Sequence, residues 1–259
     1  MKVFAIANQK GGVGKTSVAV NLSATLAHYG QRVLLVDLDP QGNATTGSGV
    51  DKNKVSKTVY GVLLGEYEIA EARVRTEGAY DILPANRELA GAEIELIDID
   101  QREFCLKQAI LKVAADYAFV VIDCPPALNM LTVNALTAAD AVIIPMQCEY
   151  YALEGLSDLV GTLRKVKSNL NPDIEIEALV RTMYDPRSSL TTQVSDEIKA
   201  HFGAKVFDTV IPRNVRIAEA PSFGKPVILH DPTSKGAQAH FAFAKELLAR
   251  QGIPVKEAA

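Results

Sequence analysis

A short apolar strand, Val3-Phe4-Ala5-Ile6-Ala7, runs straight into Gln9-Lys10-Gly11-Gly12-Val13-Gly14-Lys15-Thr16-Ser17. A helical pattern follows from Lys15 to about Tyr29, with Gly30 as its C-terminal stop. Strand, glycine loop and helix in that order constrain the fold strongly. The glycines let backbone N–H groups turn inward around phosphate oxygens, Lys15 supplies a cation, and Thr16 offers a hydroxyl to Mg²⁺. The helix start adds its positive dipole end. One departure from the ordinary phosphate-binding loop is informative. Gln9 stands where that loop has its first glycine, and an extra lysine, Lys10, lies inside it. With Lys15 holding the phosphates, Lys10 has no evident partner within its own subunit.

Strand-like and helix-like segments alternate along the chain. Arg32–Asp37, Phe119–Asp123, Ala141–Pro145, Ile174–Val180 and Val206–Ile211 read as strands, and Asp81–Pro84 as a short one. Helices are predicted for Asn86 to about Ile97, around Phe104–Ala115, about Met130 to Ala138, and Leu153–Asn169. Short apolar runs separated by helices predict βαβ crossovers. The expected fold is α/β: a single domain over residues 1–259, with a mostly parallel twisted sheet flanked by helices on both faces, its core spanning about 2–250 before a short tail. Gln41–Lys57, rich in Gly, Thr and Ser, reads as a mobile loop. Ligands of such sheets bind beyond the carboxyl ends of the strands.

Two acidic motifs fall at that edge. Asp37-Leu38-Asp39-Pro40-Gln41-Gly42-Asn43 delivers two carboxylates at the end of the second strand. A carboxylate beside a γ-phosphate can position the attacking water or accept its proton. Phe119-Val120-Val121-Ile122-Asp123 ends four apolar residues in a carboxylate that can hold Mg²⁺ through water, and Cys124-Pro125-Pro126 redirects the chain. Thr16, Asp39 and Asp123 are thus the candidate metal residues. Glu149 reads equally as a nucleotide or partner contact and as a solvated loop acid.

Composition excludes several classes. No run of 18 or more apolar residues argues for a membrane span, and Met1-Lys2 leads into the first strand without a signal peptide. Cys105, Cys124 and Cys148 are too far apart for a cluster or zinc site, and read as buried thiols in a reducing compartment. The four histidines have no metal spacing. Net charge is −4, yet residues 181–259 carry 11 Lys and Arg against 8 Asp and Glu, which permits a local basic face.

The run Lys-Gly-Gly-x-Gly-Lys-Thr resembles the deviant Walker A motif of the ParA/MinD group of P-loop ATPases, and Asp-Pro-Gln-Gly-Asn resembles switch I of the ParA branch. Ile211-Pro-Arg-Asn-Val-Arg-Ile-Ala-Glu-Ala-Pro-Ser-Phe-Gly-Lys-Pro226 is very similar to the corresponding stretch of Soj-type chromosome-partitioning proteins. The resemblance covers Val3 to about Leu248. The loop begins by residue 9, without room for the N-terminal extension of the larger plasmid-type members. The tail Gly252-Ile-Pro-Val-Lys-Glu-Ala-Ala259 lacks the basic amphipathic membrane helix of MinD-like proteins. The paired cysteines of the nitrogenase iron protein are missing.

The resemblance implies an ATPase using ATP and Mg²⁺, hydrolysing slowly without its partner. It implies nucleotide contacts from Lys10, Gly11, Gly12, Val13, Gly14, Lys15, Thr16 and Ser17, with Pro212 and Asn214 against the adenine. Lys10, Lys15 and Asp39 are the implied catalytic set, with Asp39 activating water and Lys10 crossing to the partner's nucleotide in an ATP-bound homodimer. Asp37 supports the Mg²⁺ water shell or the loop. Arg187, Arg213 and Arg216, with Lys199 and Lys225 behind them, are the candidates for a face that binds double-stranded DNA without sequence preference. A ParB-type centromere-binding protein is the implied partner, in the cytoplasm on the nucleoid, with no membrane involved. A positioning ATPase for plasmid or protein cargo, and a metabolic ATP-dependent P-loop enzyme, are the rival readings.

Overall fold

The computed structural model describes residues 1–255. Eight strands form one sheet: β1 Lys2–Ile6, β2 Val33–Asp37, β3 Val74–Arg75, β4 Asp81–Leu83, β5 Phe119–Asp123, β6 Ala141–Gln147, β7 Glu175–Tyr184 and β8 Val206–Pro212. Their order is β3-β4-β2-β5-β1-β6-β7-β8, and every neighbouring pair is parallel except β3 with β4. Among the helices, the longer ones are α1 Lys15–His28, α2 Cys105–Lys112, α3 Met130–Ala138, α4 Ala152–Asn169, α5 Ser189–Phe202 and α6 Lys235–Arg250. Shorter helical turns are named by their residues.

The central strands are apolar apart from Lys2 at the start of β1 and the polar residues that end β2, β5 and β6, because both faces are covered. On β1, Val3 and Ala5 join one core while Phe4 and Ile6 join the other; β5 splits likewise, Val120 and Ile122 against Phe119 and Val121. This two-residue alternation sends successive side chains to opposite faces. One core is closed by Leu106 and Ile110 of α2, Leu131 and Leu136 of α3, and Leu156, Leu159 and Leu163 of α4. The other is closed by Val18, Leu22 and Leu26 of α1 and by Phe243 and Leu247 of α6. All residues of α1 from Val18 to Leu26 are buried, so it lies between the sheet and α6 rather than at the surface.

The crossovers fix where a ligand can sit. β1 leads through α1 to β2 on one side, and β5 leads through α3 to β6 on the other, across opposite faces. The chain therefore diverges between β1 and β5, which opens a crevice at their carboxyl ends.

Three expectations change. The predicted helix over Asn86–Ile97 is broken into 3₁₀ turns at Arg87–Gly91 and Leu96–Asp98 around a single α-turn, Ala92–Glu95. Asn86 caps the first turn by accepting from Glu88 N at 3.0 Å, and Gly91 interrupts the run. Gln41–Lys57 contains a helical turn, Asn43–Gly47, bound to the sheet by Asp37, so it is not uniformly a loop. β7 runs on to Tyr184, past the expected end at Val180. Among the described residues no helix is long and apolar enough to cross a membrane. The expectation for the tail extends to residues 256–259, which lie outside the described residues.

Candidate nucleotide site

Three strand ends converge. Ile6 of β1 pairs with Asp123 of β5, and Asp123 pairs with Asp37 of β2, so two carboxylates stand side by side beneath the glycine loop. The loop leaves β1 through Asn8, whose buried amide donates to Pro145 O at 2.8 Å and whose Oδ1 accepts from Lys10 N at 2.9 Å. Gly12 and Gly14 take left-handed backbone at φ +75° and +89°, conformations that a side chain would strain. Gly14 begins α1, accepting from Val18 N at 2.9 Å. Gly11 has no such constraint, and a Cβ there would meet nothing within 4 Å.

The two loop lysines occupy opposite environments. Lys15 is buried, and its ammonium donates to Lys10 O at 3.3 Å. Burial lowers its pKa, while the charges of Asp123, Cys124 and Asp39 act to raise it. Lys10 points outward and pairs with Glu149 at 2.7 Å. This corrects the expectation that Lys10 lacks a partner in its own subunit. Glu149 follows β6, 139 residues away in the chain, and no local pattern links the two.

Asp37 and Asp123 differ in how they are satisfied. Asp37 Oδ2 accepts from Thr45 N and Thr45 Oγ1, each at 2.7 Å, and Oδ1 accepts from Asp39 N at 3.2 Å. These bonds tie Asp37 to the loop that follows β2. Burial nevertheless pushes its pKa up to about 6. Asp123 is fully buried, and neither carboxylate oxygen has a hydrogen-bond partner among the described residues. Burial, and then the charge of Asp37, push it well above the usual carboxylate range, against the pull of Thr16 and Lys15. An orphaned buried carboxylate needs a partner. With the Thr16 hydroxyl it offers hard oxygen donors, which suits Mg²⁺. That ion keeps several waters and takes phosphate oxygens, and needs only one or two protein ligands. Among the described residues no cluster of three or more His, Cys, Asp or Glu could hold a metal unaided.

Asp39 sits at the mouth of the site, half-buried. Its Oδ1 accepts from Gln41 N at 2.9 Å and its carbonyl from Gly42 N at 2.8 Å, which turns the chain away from β2.

Beside the loop lies a cavity of about 200 Å³. Its walls include Ser17 of α1, Thr182 and Met183 of β7, Pro212 at the end of β8, Asn214 just after it, and His240 of α6. The expected adenine contacts, Pro212 and Asn214, are thus brought next to the phosphate loop. Asn214 also caps the turn Val215–Glu219 by accepting from Arg216 N at 2.9 Å. Thr182, Met183 and His240 were not anticipated, because nothing near them in the sequence marks a site. Burial drives the His240 pKa down to about 3, so its ring is neutral, and neither ring nitrogen has a hydrogen-bond partner among the described residues.

The candidate DNA arginines fall into two groups. Arg187 is engaged by Asp185 through Nε at 2.9 Å and Nη2 at 2.8 Å, and it pulls the Asp185 carboxyl down to about 2. Arg216 pairs with Glu219 and, at 3.2 Å, with Asp231. Lys225 pairs with Glu77 at 2.9 Å, and Lys199 is exposed on α5. Arg213 is exposed at the cavity rim and forms no ion pair among the described residues.

Comparison with known proteins places this geometry. A family model described as an AAA domain matches residues 1–176. The chromosome partitioning protein ParA of Caulobacter vibrioides is 52% identical over 254 residues, which is 97% of this chain and 95% of that protein. The sporulation initiation inhibitor protein Soj of Bacillus subtilis is 53% identical over 249 residues, 96% of this chain and 98% of Soj. The chain belongs to the ParA/Soj chromosome-partitioning family. A crystal structure described as cobyrinic acid a,c-diamide synthase from Mycobacterium smegmatis, with bound ATP analogue and magnesium, is also similar. It is 39% identical, with a TM-score of 0.86, and the match covers 99% of this chain and 100% of that one. In this ParA/Soj chain the loop, both buried aspartates and the adjoining cavity all lie at the carboxyl edge of the sheet.

Proposed function

We propose that this ParA/Soj-family protein is an ATP-hydrolysing switch that partitions DNA. The observation that carries the reading is the opposed placement of two lysines on one loop, Lys15 buried beneath it and Lys10 half-exposed on its outer side. One lysine suffices for the phosphates of a subunit's own nucleotide; the second is positioned to serve another's.

ATP binds with its base in the cavity at Pro212 and Asn214 and its phosphates on the N–H groups of Gly11 to Ser17. Thr16 and Asp123 would hold Mg²⁺, which would supply positive charge to the phosphate oxygens. Two subunits then close face to face, and each Lys10 leaves Glu149 for the partner's phosphates. Asp39 orients the attacking water. The sequence offers no evident arginine finger, so turnover is slow until a ParB-type partner completes the arrangement. The dimer joins the Arg187, Arg213 and Arg216 faces of both subunits, doubling the phosphate contacts available to double-stranded DNA. Hydrolysis separates the subunits and releases the DNA, in the cytoplasm on the nucleoid.

The test is binding to a nonspecific duplex with ADP, with ATP, and with ATP plus Asp39→Ala, each titrated against salt. Binding that requires ATP, persists in Asp39→Ala and weakens steeply with salt supports the reading. The description of the 39% identical structure favours a second one, a metabolic enzyme that spends ATP on a small-molecule acid. DNA binding absent or indifferent to nucleotide, with ATP turnover dependent on an added small-molecule substrate, would favour that alternative. A DNA-dependent switch that moves plasmid or protein cargo would pass the same test and differ only in its partner.

A further inference from the structure

A trans peptide points its N–H and C=O in opposite directions, so a loop that turns N–H groups inward must hold the matching carbonyls outward. Three side chains do this here. Thr182 Oγ1 donates to Val13 O at 2.7 Å, which sets the N–H of Gly14. Gln147 Nε2 lies 3.4 Å from Gly12 O, which sets the N–H of Val13. Lys15 Nζ, at 3.3 Å from Lys10 O, sets the N–H of Gly11. Thr182 makes the shortest of these bonds and is buried, 169 residues from its acceptor. Its Cβ and methyl group also lie 3.8 Å from where a Cβ on Gly14 would stand.

The end of β7 is distorted where this contact is made. Met183 takes φ +49°, a left-handed conformation uncommon outside glycine, and the β7–β8 register shifts between Arg181 and Tyr184. Strained backbone persists only where its surroundings over-determine it, and it gathers at functional sites. Met183 Sδ lies against the same Gln147 amide, so the distorted residue is next to the loop's second carbonyl contact. Thr182 and Met183 also line the cavity beside the loop.

We infer that Thr182 is a positioning residue for the phosphate loop, holding the Val13–Gly14 peptide in its phosphate-binding orientation and joining that loop to the wall of the base cavity. This rests on the reading that the loop binds a nucleoside polyphosphate. The strain at Met183 keeps the hydroxyl on the loop while the next side chain faces the cavity. The loop is thereby preorganised, so its ordering need not be achieved at the moment of binding.

The test is equilibrium binding of ATP, ADP and AMP to wild type, Thr182→Val and Thr182→Ser. Valine keeps the shape and removes the donor. Affinity for ATP and ADP should fall roughly tenfold in Thr182→Val, as expected for one lost hydrogen bond. AMP, which lacks the β-phosphate, should change less than about twofold, and Thr182→Ser should recover most of the loss. If Thr182→Val does not fold, Thr182→Cys, with a weak donor of similar size, should show the same split at smaller amplitude. Unchanged ADP binding, or an equal loss on AMP, overturns the inference and leaves the nucleotide reading intact. Wild-type protein that binds neither ATP nor ADP overturns the nucleotide reading itself and this inference with it.

Discussion

Lys10 Nζ stands 2.7 Å from Glu149 Oε2, so the outer lysine of the loop is held within its own subunit. Both side chains are about half exposed, at 41% and 50%, and such a pair contributes only about 0–1 kcal/mol. A contact that weak can be exchanged for a phosphate with little cost. Lys10→Ala should therefore lower Tm by no more than about 4 °C and leave ATP binding to the monomer nearly unchanged. It should abolish ATP-dependent dimerisation and DNA retention. Sedimentation with ATP and without it checks this; a Lys10→Ala dimer would remove the crossing role assigned to Lys10.

Asp37 and Asp123 make apo stability depend on pH in a definite sense. An acid whose pKa is raised by folding binds its proton more tightly in the folded chain. Its contribution therefore falls as pH climbs from the unfolded value to the folded one. For Asp37 that window runs from 3.8 to about 6, and Asp123, pushed the same way, extends the loss upward. Metal-free, nucleotide-free protein should lose stability as pH rises from 3.8 through about 6 and beyond. Asp123→Asn should flatten the loss and raise Tm at the upper end by roughly 2–6 °C, while removing the gain in ATP affinity that Mg²⁺ gives. A Tm that drops in Asp123→Asn under those conditions would show that the carboxylate is a structural partner, against its orphaned oxygens.

Much of this was legible in the sequence, for a physical reason. β1, β2, β5 and β6 are buried on both faces, so they read as unbroken apolar runs, and the loop glycines and lysine follow one of them directly. The Asp37 and Asp123 positions followed from strand ends. Ser189–Phe202 and Lys235–Arg250 did not stand out, because each buries only one stripe and is otherwise polar or alanine-rich. β3 is only two residues long. The Lys10–Glu149 pair and the Thr182–Val13 bond join positions 139 and 169 residues apart, and only the sheet order brings them together. Glu149 could be singled out from its place after a strand; Thr182 carried no signal.

The arginines should not behave alike. Among the described residues Arg213 has no close ion pair to give up, only a longer-range pull on Asp185, whereas Arg187 and Arg216 must share their guanidinium groups with Asp185 and with Glu219 and Asp231. Arg213→Ala should weaken DNA binding most of the three. It should reduce the salt slope by about 2 for the dimer, one contact from each subunit. ATP affinity must be measured alongside, since Arg213 borders the base cavity. Equal small losses for all three, with an unchanged slope, would move the DNA face elsewhere.

Gly11 and Gly12 give the sharpest separation between nucleotide binding and dimerisation. Gly12 has φ +75°, so any side chain there strains the loop; Gly12→Val should cost about 1–2 kcal/mol and weaken ATP binding even in the monomer. Gly11 has no left-handed requirement, and its Cβ would stand in open space on the exposed side of the loop. Gly11→Val should therefore fold and bind ATP almost as wild type does. Glycine at this position matters only if another surface must approach the loop backbone. The measurement is the ATP-dependent dimer fraction in an Asp39→Ala background, where hydrolysis does not deplete the complex. Gly11→Val should lower that fraction at least tenfold (about 1.4 kcal/mol). Full dimerisation with valine at 11 would mean that the subunits do not meet across this loop, and the assignment of Lys10 would fall with it.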